Sequence, residues 1–246
     1  MNGYEYEYEY EDRISFSRCD VNRRLSITAL IDAFQDASIF QSEDAGVGIE
    51  FLKERDLLWV LNYWELEITR LPGLCETVLV GTYPFDFKSF MGYRNFYMKD
   101  EAGNYLVKAN TTWTMVNIST MTPARAPECV VKAYKLGEKL DMTYSGRKIL
   151  LPSEDECIIK EGDIRTVELH HLDTNMHVNN CQYINFAMTA VGEDIQVKSL
   201  RADYRKQAHL KDRIYPRIYI QGNEYTVALN DEDGVPYSVV KLKGEK

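Results

Sequence analysis

Three side chains with complementary chemistry stand at alternate positions in one short run: Asp173, Asn175 and His177. On an extended backbone alternate residues face one way, so this spacing aims a carboxylate, an amide and an imidazole at one point. The run starts at His170-His171, which reads as the end of a strand. It continues through Val178-Asn179-Asn180 into a helix expected from Cys181 to about Gly192. Asn179 or Asn180 can cap that helix. A helix N-terminus offers unpaired N–H groups and the positive end of the peptide dipole, which suits a carbonyl gaining negative charge. Together these features describe a hydrolytic site, with water-handling groups beside a polariser.

The elements that must hold this run are legible from periodicity. Tyr4 to Tyr10 alternates Tyr with Glu, a period-of-two strand. Ile27, Leu30, Ile31, Phe34, Ala37 and Ser38 recur at helical spacing, which predicts a helix from about Ser26 to Glu43, ended by Gly46 and Gly48. A short helix is expected at Ile49 to Arg55. Strands follow at Leu57 to Thr69, Thr77 to Phe87, Met91 to Met98 and Tyr105 to Asn117, with a hairpin turn around Asp100 and Gly103. Residues 122–156 carry Pro123, Pro127 and Pro152, with a short helix near Glu128 to Tyr134, and read as a linker. Further strands are expected at Asp194 to Lys206, Arg213 to Gln221, Glu224 to Leu229 and Tyr237 to Leu242. One helix before an antiparallel meander means α+β.

The second half repeats the first. Laying Asp20-Val21-Asn22-Arg23-Arg24-Leu25 over Asp173-Thr174-Asn175-Met176-His177-Val178 superposes Asp on Asp and Asn on Asn, with Arg24 where the second copy has His177. The same order of elements follows each turn, so two copies of one unit are expected. The division is residues 1–121, a linker at 122–156 and residues 157–246. The first copy, lacking the His, needs its Asp-x-Asn only for turn chemistry.

Composition excludes several classes. A net charge of −9, from 38 acidic and 29 basic residues, argues against general nucleic-acid binding. No run approaches the roughly 18 apolar residues of a membrane span, and no signal peptide is apparent at the N-terminus. The 5 Cys are scattered and form no C-x-x-C, which points to a reducing cytoplasm. A metal among His170, His171, Asp173 and His177 is disfavoured, because adjacent strand residues point to opposite faces. Cys181, near a helix start, reads as a small core residue rather than a nucleophile.

Asp173-Thr174-Asn175-Met176-His177-Val178-Asn179-Asn180 resembles the D-x-N-x-H-V-N-N signature of the acyl-acyl carrier protein (acyl-ACP) thioesterases, the bacterial relatives of the plant plastid enzymes. Trp59-Val60-Leu61, and the stretch from Arg94 through Trp113 to Asn117, are similar to that family's pattern. The resemblance covers roughly the whole chain. It implies a tandem double-hotdog fold, in which a long helix wrapped by a curved antiparallel sheet occurs twice with the sheets joined. It also implies release of free fatty acid from acyl carrier protein in fatty acid biosynthesis. Asp173, Asn175 and His177 would be the catalytic positions, with His177 suited to act as base near neutral pH. Asp173 would orient it or steer the water, and Asn175 would hold the water or the carbonyl. No cofactor is implied, since phosphopantetheine arrives with the substrate.

The chain departs from the plant pattern at one place. Where the plant members carry Tyr-Arg-Arg-Glu-Cys, this chain reads Tyr204-Arg205-Lys206-Gln207-Ala208. Ala208 has no nucleophilic atom, so a Cys-His-Asn mechanism is excluded there. Gln207 is no base but can hydrogen-bond a water, as can Asn179. An acidic carrier needs a local basic patch on this acidic chain. Lys198, Arg201, Arg205, Lys206, His209, Lys211 and Arg213 cluster around the strand expected to carry Gln207. Of these, Arg201, Arg205, Lys206, Lys211 and Arg213 are the docking candidates. Leu30, Phe34, Ala37, Trp59, Trp64 and Trp113 of the first copy are candidates for the acyl pocket, with core packing the simpler role for each. An acyl-CoA thioesterase and a non-catalytic acyl-binding module are the competing functions. The signature argues against a hydroxyacyl dehydratase. Either a monomer or a homodimer accords with the internal repeat.

Overall fold

The computed structural model describes residues 7–192 and 195–245. They fall into two compact units. The first holds the chain up to Asn62 together with Glu67–Tyr144, and the second holds Tyr63–Leu66 with the chain from Ser145 onward.

The first unit contains β1 (Tyr8–Arg13), α1 (Ile27–Asp44), α2 (Ile49–Lys53), most of β2 (Leu57–Ile68), β3 (Thr77–Lys88), β4 (Met91–Asp100), β5 (Tyr105–Asn117) and α3 (Glu128–Ala133). Its strands are ordered β1-β3-β4-β5-β2. The β1–β3, β3–β4 and β4–β5 ladders are antiparallel. The Tyr/Glu alternation becomes β1 from Tyr8; its earlier residues lie outside the described ones. The long helix starts because Ser26 caps it, accepting from the Ala29 N–H at 3.2 Å. It lies on the sheet because Leu30, Ile31, Phe34 and Ala37, on one face, are completely buried. Phe34 meets Phe96 of β4 with ring centroids 5.4 Å apart. Burial of Leu30, Ile31 or Phe34 stabilises the fold by about 1.5–3 kcal/mol each.

The second unit contains β6 (Ile158–Glu161), β7 (Arg165–Thr166), α4 (Asn180–Val191), β8 (Gln196–Tyr204), β9 (Arg213–Gln221), β10 (Glu224–Asn230) and β11 (Pro236–Glu245). The strand order is β8-β11-β10-β9-β6, with β7 also against β9, all antiparallel. Helix α4 packs on β9, β10 and β11 through Cys181, Tyr183, Ile184, Phe186 and Ala187. Gly192 closes it at φ +65°, the left-handed conformation that glycine takes without a Cβ clash.

The chain passes from one unit to the other after Tyr144, inside the stretch expected as a linker. On the first side it straps a sheet face: the Leu140 N–H and the Tyr144 hydroxyl both donate to Asn95 Oδ1, at 3.2 and 2.9 Å. Tyr134 joins a core cluster with Val47, Leu52, Leu57, Met115, Ala126 and Val130. On the second side Ile149 is buried with Tyr219, Ala228 and Val239.

Two expectations near the site are corrected. Leu169–His171 is a 3-10 turn rather than the end of a strand, so His170 and His171 do not point to opposite faces; their rings lie 4.0 Å apart. Strand β8 stops at Tyr204, short of Lys206, because the Arg205 and Lys206 N–H groups both turn onto the Tyr237 carbonyl. Gln207 therefore lies in the loop before β9, not on a strand.

Candidate active site

The Asp173 turn is a closed bracket rather than an extended run. Asp173 Oδ1 accepts the Asn175 N–H at 2.8 Å and the His177 N–H at 3.3 Å. The Asp173 N–H donates to the His177 carbonyl at 2.8 Å, and Met176 takes φ +62° to bring the chain round. Asn175 is left exposed at the tip, while Asp173 and His177 are half-buried at its base. The backbone of the three residues is thus set by turn chemistry, not by strand alternation.

The first unit builds the same bracket. Asp20 Oδ1 accepts the Asn22 and Arg24 N–H groups, both at 2.9 Å. The Asp20 N–H donates to the Arg24 carbonyl at 2.7 Å, and Arg23 takes φ +58° in the place of Met176. A 3-10 turn precedes each bracket and a capped helix follows each one. The repeat therefore extends to individual hydrogen bonds, and the side chain at the fifth position, Arg24 or His177, is where the copies part.

Asn179 caps α4, accepting the Cys181 N–H at 3.2 Å on its side chain and the Gln182 N–H at 2.9 Å on its carbonyl. Two of the N–H groups offered by that helix end are thus already bonded. Cys181 is buried, and all five cysteines are free thiols.

The loop 205–212 is fastened against this corner. The Val178 N–H donates to the Ala208 carbonyl at 3.0 Å, and the Ala208 N–H to the Tyr183 hydroxyl at 2.9 Å. Burial raises the Tyr183 phenol well above its ordinary value. Ala208 is completely buried, so the position where the plant pattern has Cys is a packing position here. Gln207, His209, Lys206, Lys211, Asp212 and Arg213 line an open groove of about 410 Å³, facing Asp231, Glu232, Asp233 and Tyr237.

His209 was not singled out as a site residue from the sequence. Its ring meets that of His177 edge to face, with centroids 5.0 Å apart. No spacing rule links residues so far apart in the chain; the Val178–Ala208 and Ala208–Tyr183 bonds bring them together. Among the described residues no group of three or more His, Cys, Asp or Glu side chains is placed to hold a metal ion.

The docking candidates are differently engaged. Arg201 donates to the Tyr63 hydroxyl at 2.7 Å and to the Gly146 carbonyl at 2.6 Å. Arg205 donates to Asp203 at 2.9 Å and to the Ile149 carbonyl at 2.6 Å. Lys206 is paired with Asp231 at 2.6 Å, which raises the ammonium and lowers the carboxyl from their ordinary values. Lys211 and Arg213 are exposed, with no carboxylate within 4.0 Å among the described residues. Of the pocket candidates, Leu30, Phe34, Ala37 and Trp64 are completely buried, and Trp64 falls in the segment grouped with the second unit. Trp59 and Trp113 are half-buried; Trp113 donates to Thr111 Oγ1 at 2.9 Å.

An antiparallel sheet carrying one long helix, built twice in one chain with an Asp-centred bracket before each helix, defines a tandem double-hotdog protein. The acyl-ACP thioesterase N-terminal domain model matches residues 3–134 and the C-terminal domain model matches residues 155–233. The chain belongs to the acyl-ACP thioesterase family. It is 26% identical over 205 residues to the chloroplastic acyl-[acyl-carrier-protein] hydrolase FATB3 of Cuphea viscosissima, covering 76% of this chain and 48% of that protein. It is 24% identical to that plant's FATB1 hydrolase, covering 91% of this chain and 58% of the other. The chain spans about half the length of the curated relatives it matches. Among solved structures, the acyl-ACP thioesterase of Bacteroides thetaiotaomicron superposes with a TM-score of 0.87 at 22% identity, covering 97% of this chain and 98% of that one. The 12:0-ACP thioesterase of Umbellularia californica gives 0.82 at 19% identity, covering 97% of each chain.

Proposed function

We propose that this chain hydrolyses acyl-ACP thioesters, releasing free fatty acid in the cytoplasm, with His177 as the base that activates water. The observation that carries this reading is the repeated bracket. The same turn is built twice, but only the second copy carries an imidazole, and that imidazole packs against His209, which lines an open groove.

His177 takes a proton from water as the water oxygen attacks the thioester carbonyl carbon. Asp173 works through the bracket: its Oδ1 is committed to two backbone N–H groups, so it fixes the backbone on which the imidazole is mounted. Asn175, exposed at the tip, offers an amide that can hold the water or the carbonyl oxygen. Gln207 serves as a second amide at the groove. Asn179 acts as the helix cap. Among these docking candidates in the described residues, Lys211 and Arg213 have no carboxylate partner and are available to meet an acidic carrier, whereas Arg201, Arg205 and Lys206 are bonded inside the unit.

The test is thiol release from medium- and long-chain acyl-ACPs, run beside matching acyl-CoAs and a His177→Ala variant. Release from acyl-ACP that is lost in the variant is the expected result. Release from acyl-CoA alone would keep the site but change the donor. Binding of acyl-ACP without release would point to a non-catalytic acyl-binding module.

A further inference from the structure

We propose that His209 is a second catalytic residue of this site: it protonates the departing sulfur while His177 deprotonates the attacking water. The inference rests on the hydrolase reading above.

Thioester hydrolysis has two proton transfers at different atoms. The water oxygen bonds to the carbonyl carbon and gives a proton to His177; the carbon–sulfur bond breaks, and the sulfur accepts a proton. One imidazole can carry both transfers in turn, as base and then as acid; a second imidazole beside it serves the sulfur separately. Gln207 and Ala208, in the loop before β9, carry no transferable proton at neutral pH. The next residue is His209.

Its placement fits the role. The His209 ring lies against that of His177, 5.0 Å between centroids and 73° between planes. It also lines the groove of about 410 Å³, and its side chain is 60% exposed. A thioester lying in that groove would contact His209, whose ring is packed against His177. Asp212 holds the residue in place: its Oδ2 accepts the His209 N–H at 2.9 Å and stands 3.8 Å from the ring Nδ1. Tyr237 steadies that carboxylate, donating its hydroxyl to the same oxygen at 3.2 Å.

Tyr183 and Lys206 are held by partners inside the unit. The Tyr183 hydroxyl accepts the Ala208 N–H, and Lys206 is paired with Asp231 at 2.6 Å. An imidazole is the side chain able to hold and give a proton near neutral pH. After each turnover the proton that His177 gained is lost to solvent in the groove, and His209 regains one from the same solvent. Thioester and water thus become carboxylic acid and thiol with nothing left over.

The test compares leaving groups. An alkyl thiol, ordinarily with a pKa of about 8.5, profits from a general acid, whereas an aryl thiol leaves readily as thiolate. Wild type, His209→Gln and His209→Asn are assayed on an acyl-pantetheine and on the 4-nitrophenyl thioester of the same acid. The expected result is that the ratio of alkyl to aryl turnover falls roughly 10²-fold in both variants, within the usual range for general acid catalysis. An equal loss on both thioesters would make His209 only a support for His177 and overturn the proposal, as would no loss on either. Acyl-ACP is assayed alongside as the reference substrate, and a wild-type chain that hydrolyses neither it nor the two thioesters would overturn the hydrolase reading itself and this inference with it.

Discussion

At the residue scale, the two brackets separate architecture from chemistry. Asp20 and Asp173 make the same pair of side-chain bonds to backbone N–H groups, yet only one of them has an imidazole to position. Replacing either by Ala removes those bonds, and each change is expected to cost about 1–2 kcal/mol in denaturant unfolding. Only Asp173→Ala is expected to abolish thiol release as well. His171 adds a pH dependence. Its Nδ1 accepts the Glu168 N–H at 3.0 Å, closing the cap of the 3-10 turn that leads into the bracket. Burial, and then its neighbour His170, hold the imidazole below its ordinary value of 6.5. Because the folded-state value is depressed, the stabilisation is complete above the unfolded value and is lost as pH falls through the folded one. Protonation also removes the acceptor. Hydrogen exchange of the Glu168 amide, followed from about pH 7 down to about pH 5, is expected to accelerate beyond the intrinsic rate change, and His171→Phe to erase that extra pH dependence.

At the element scale, periodicity carried most of the fold. The long helix expected at Ser26 to Glu43 is found at Ile27–Asp44, with Ser26 as its cap, and Tyr105–Asn117 and Arg213–Gln221 are strands with the expected bounds. In the helix a single face is buried, so the spacing of apolar residues reports it directly, whereas Tyr105–Asn117 is buried on both faces and is read from its length and its β-branched and aromatic residues. The site was legible only in part. The Asp-x-Asn-x-His run could be located, but its shape depends on Met176 at φ +62° and on a carboxylate bonding backward to the chain. The 205–212 loop had no periodicity to read, and it is held instead by bonds to distant elements. One of these makes a clean test. Tyr183→Phe leaves the buried Ala208 N–H without its acceptor, and about 1–3 kcal/mol of stability is expected to be lost. Since Ala208 also pairs with Val178 beside His177, turnover is expected to fall with it, in excess of any loss of folded protein at the assay temperature.

At the scale of the whole molecule, charge decides how a partner can approach. A net charge of −9 repels an acidic carrier protein at long range, so productive encounter depends on a local field of opposite sign. Around the groove, Lys206 is neutralised by Asp231, and Arg201 and Arg205 are bonded inward. That leaves Lys211 and Arg213, both exposed, lining the groove together with Glu232 and Asp233. Reversing both, Lys211→Glu with Arg213→Glu, is expected to lower kcat/KM for acyl-ACP by about tenfold or more at low salt, through slower association. The same double variant is expected to treat an uncharged acyl-pantetheine almost as wild type does, because that substrate carries the reactive arm without the carrier. As salt is raised the penalty on acyl-ACP is expected to shrink, since exposed charges are screened beyond about 10 Å at 0.1 M ionic strength. An equal loss on the carrier-free thioester would instead assign the two cations to the reaction itself rather than to the carrier's approach.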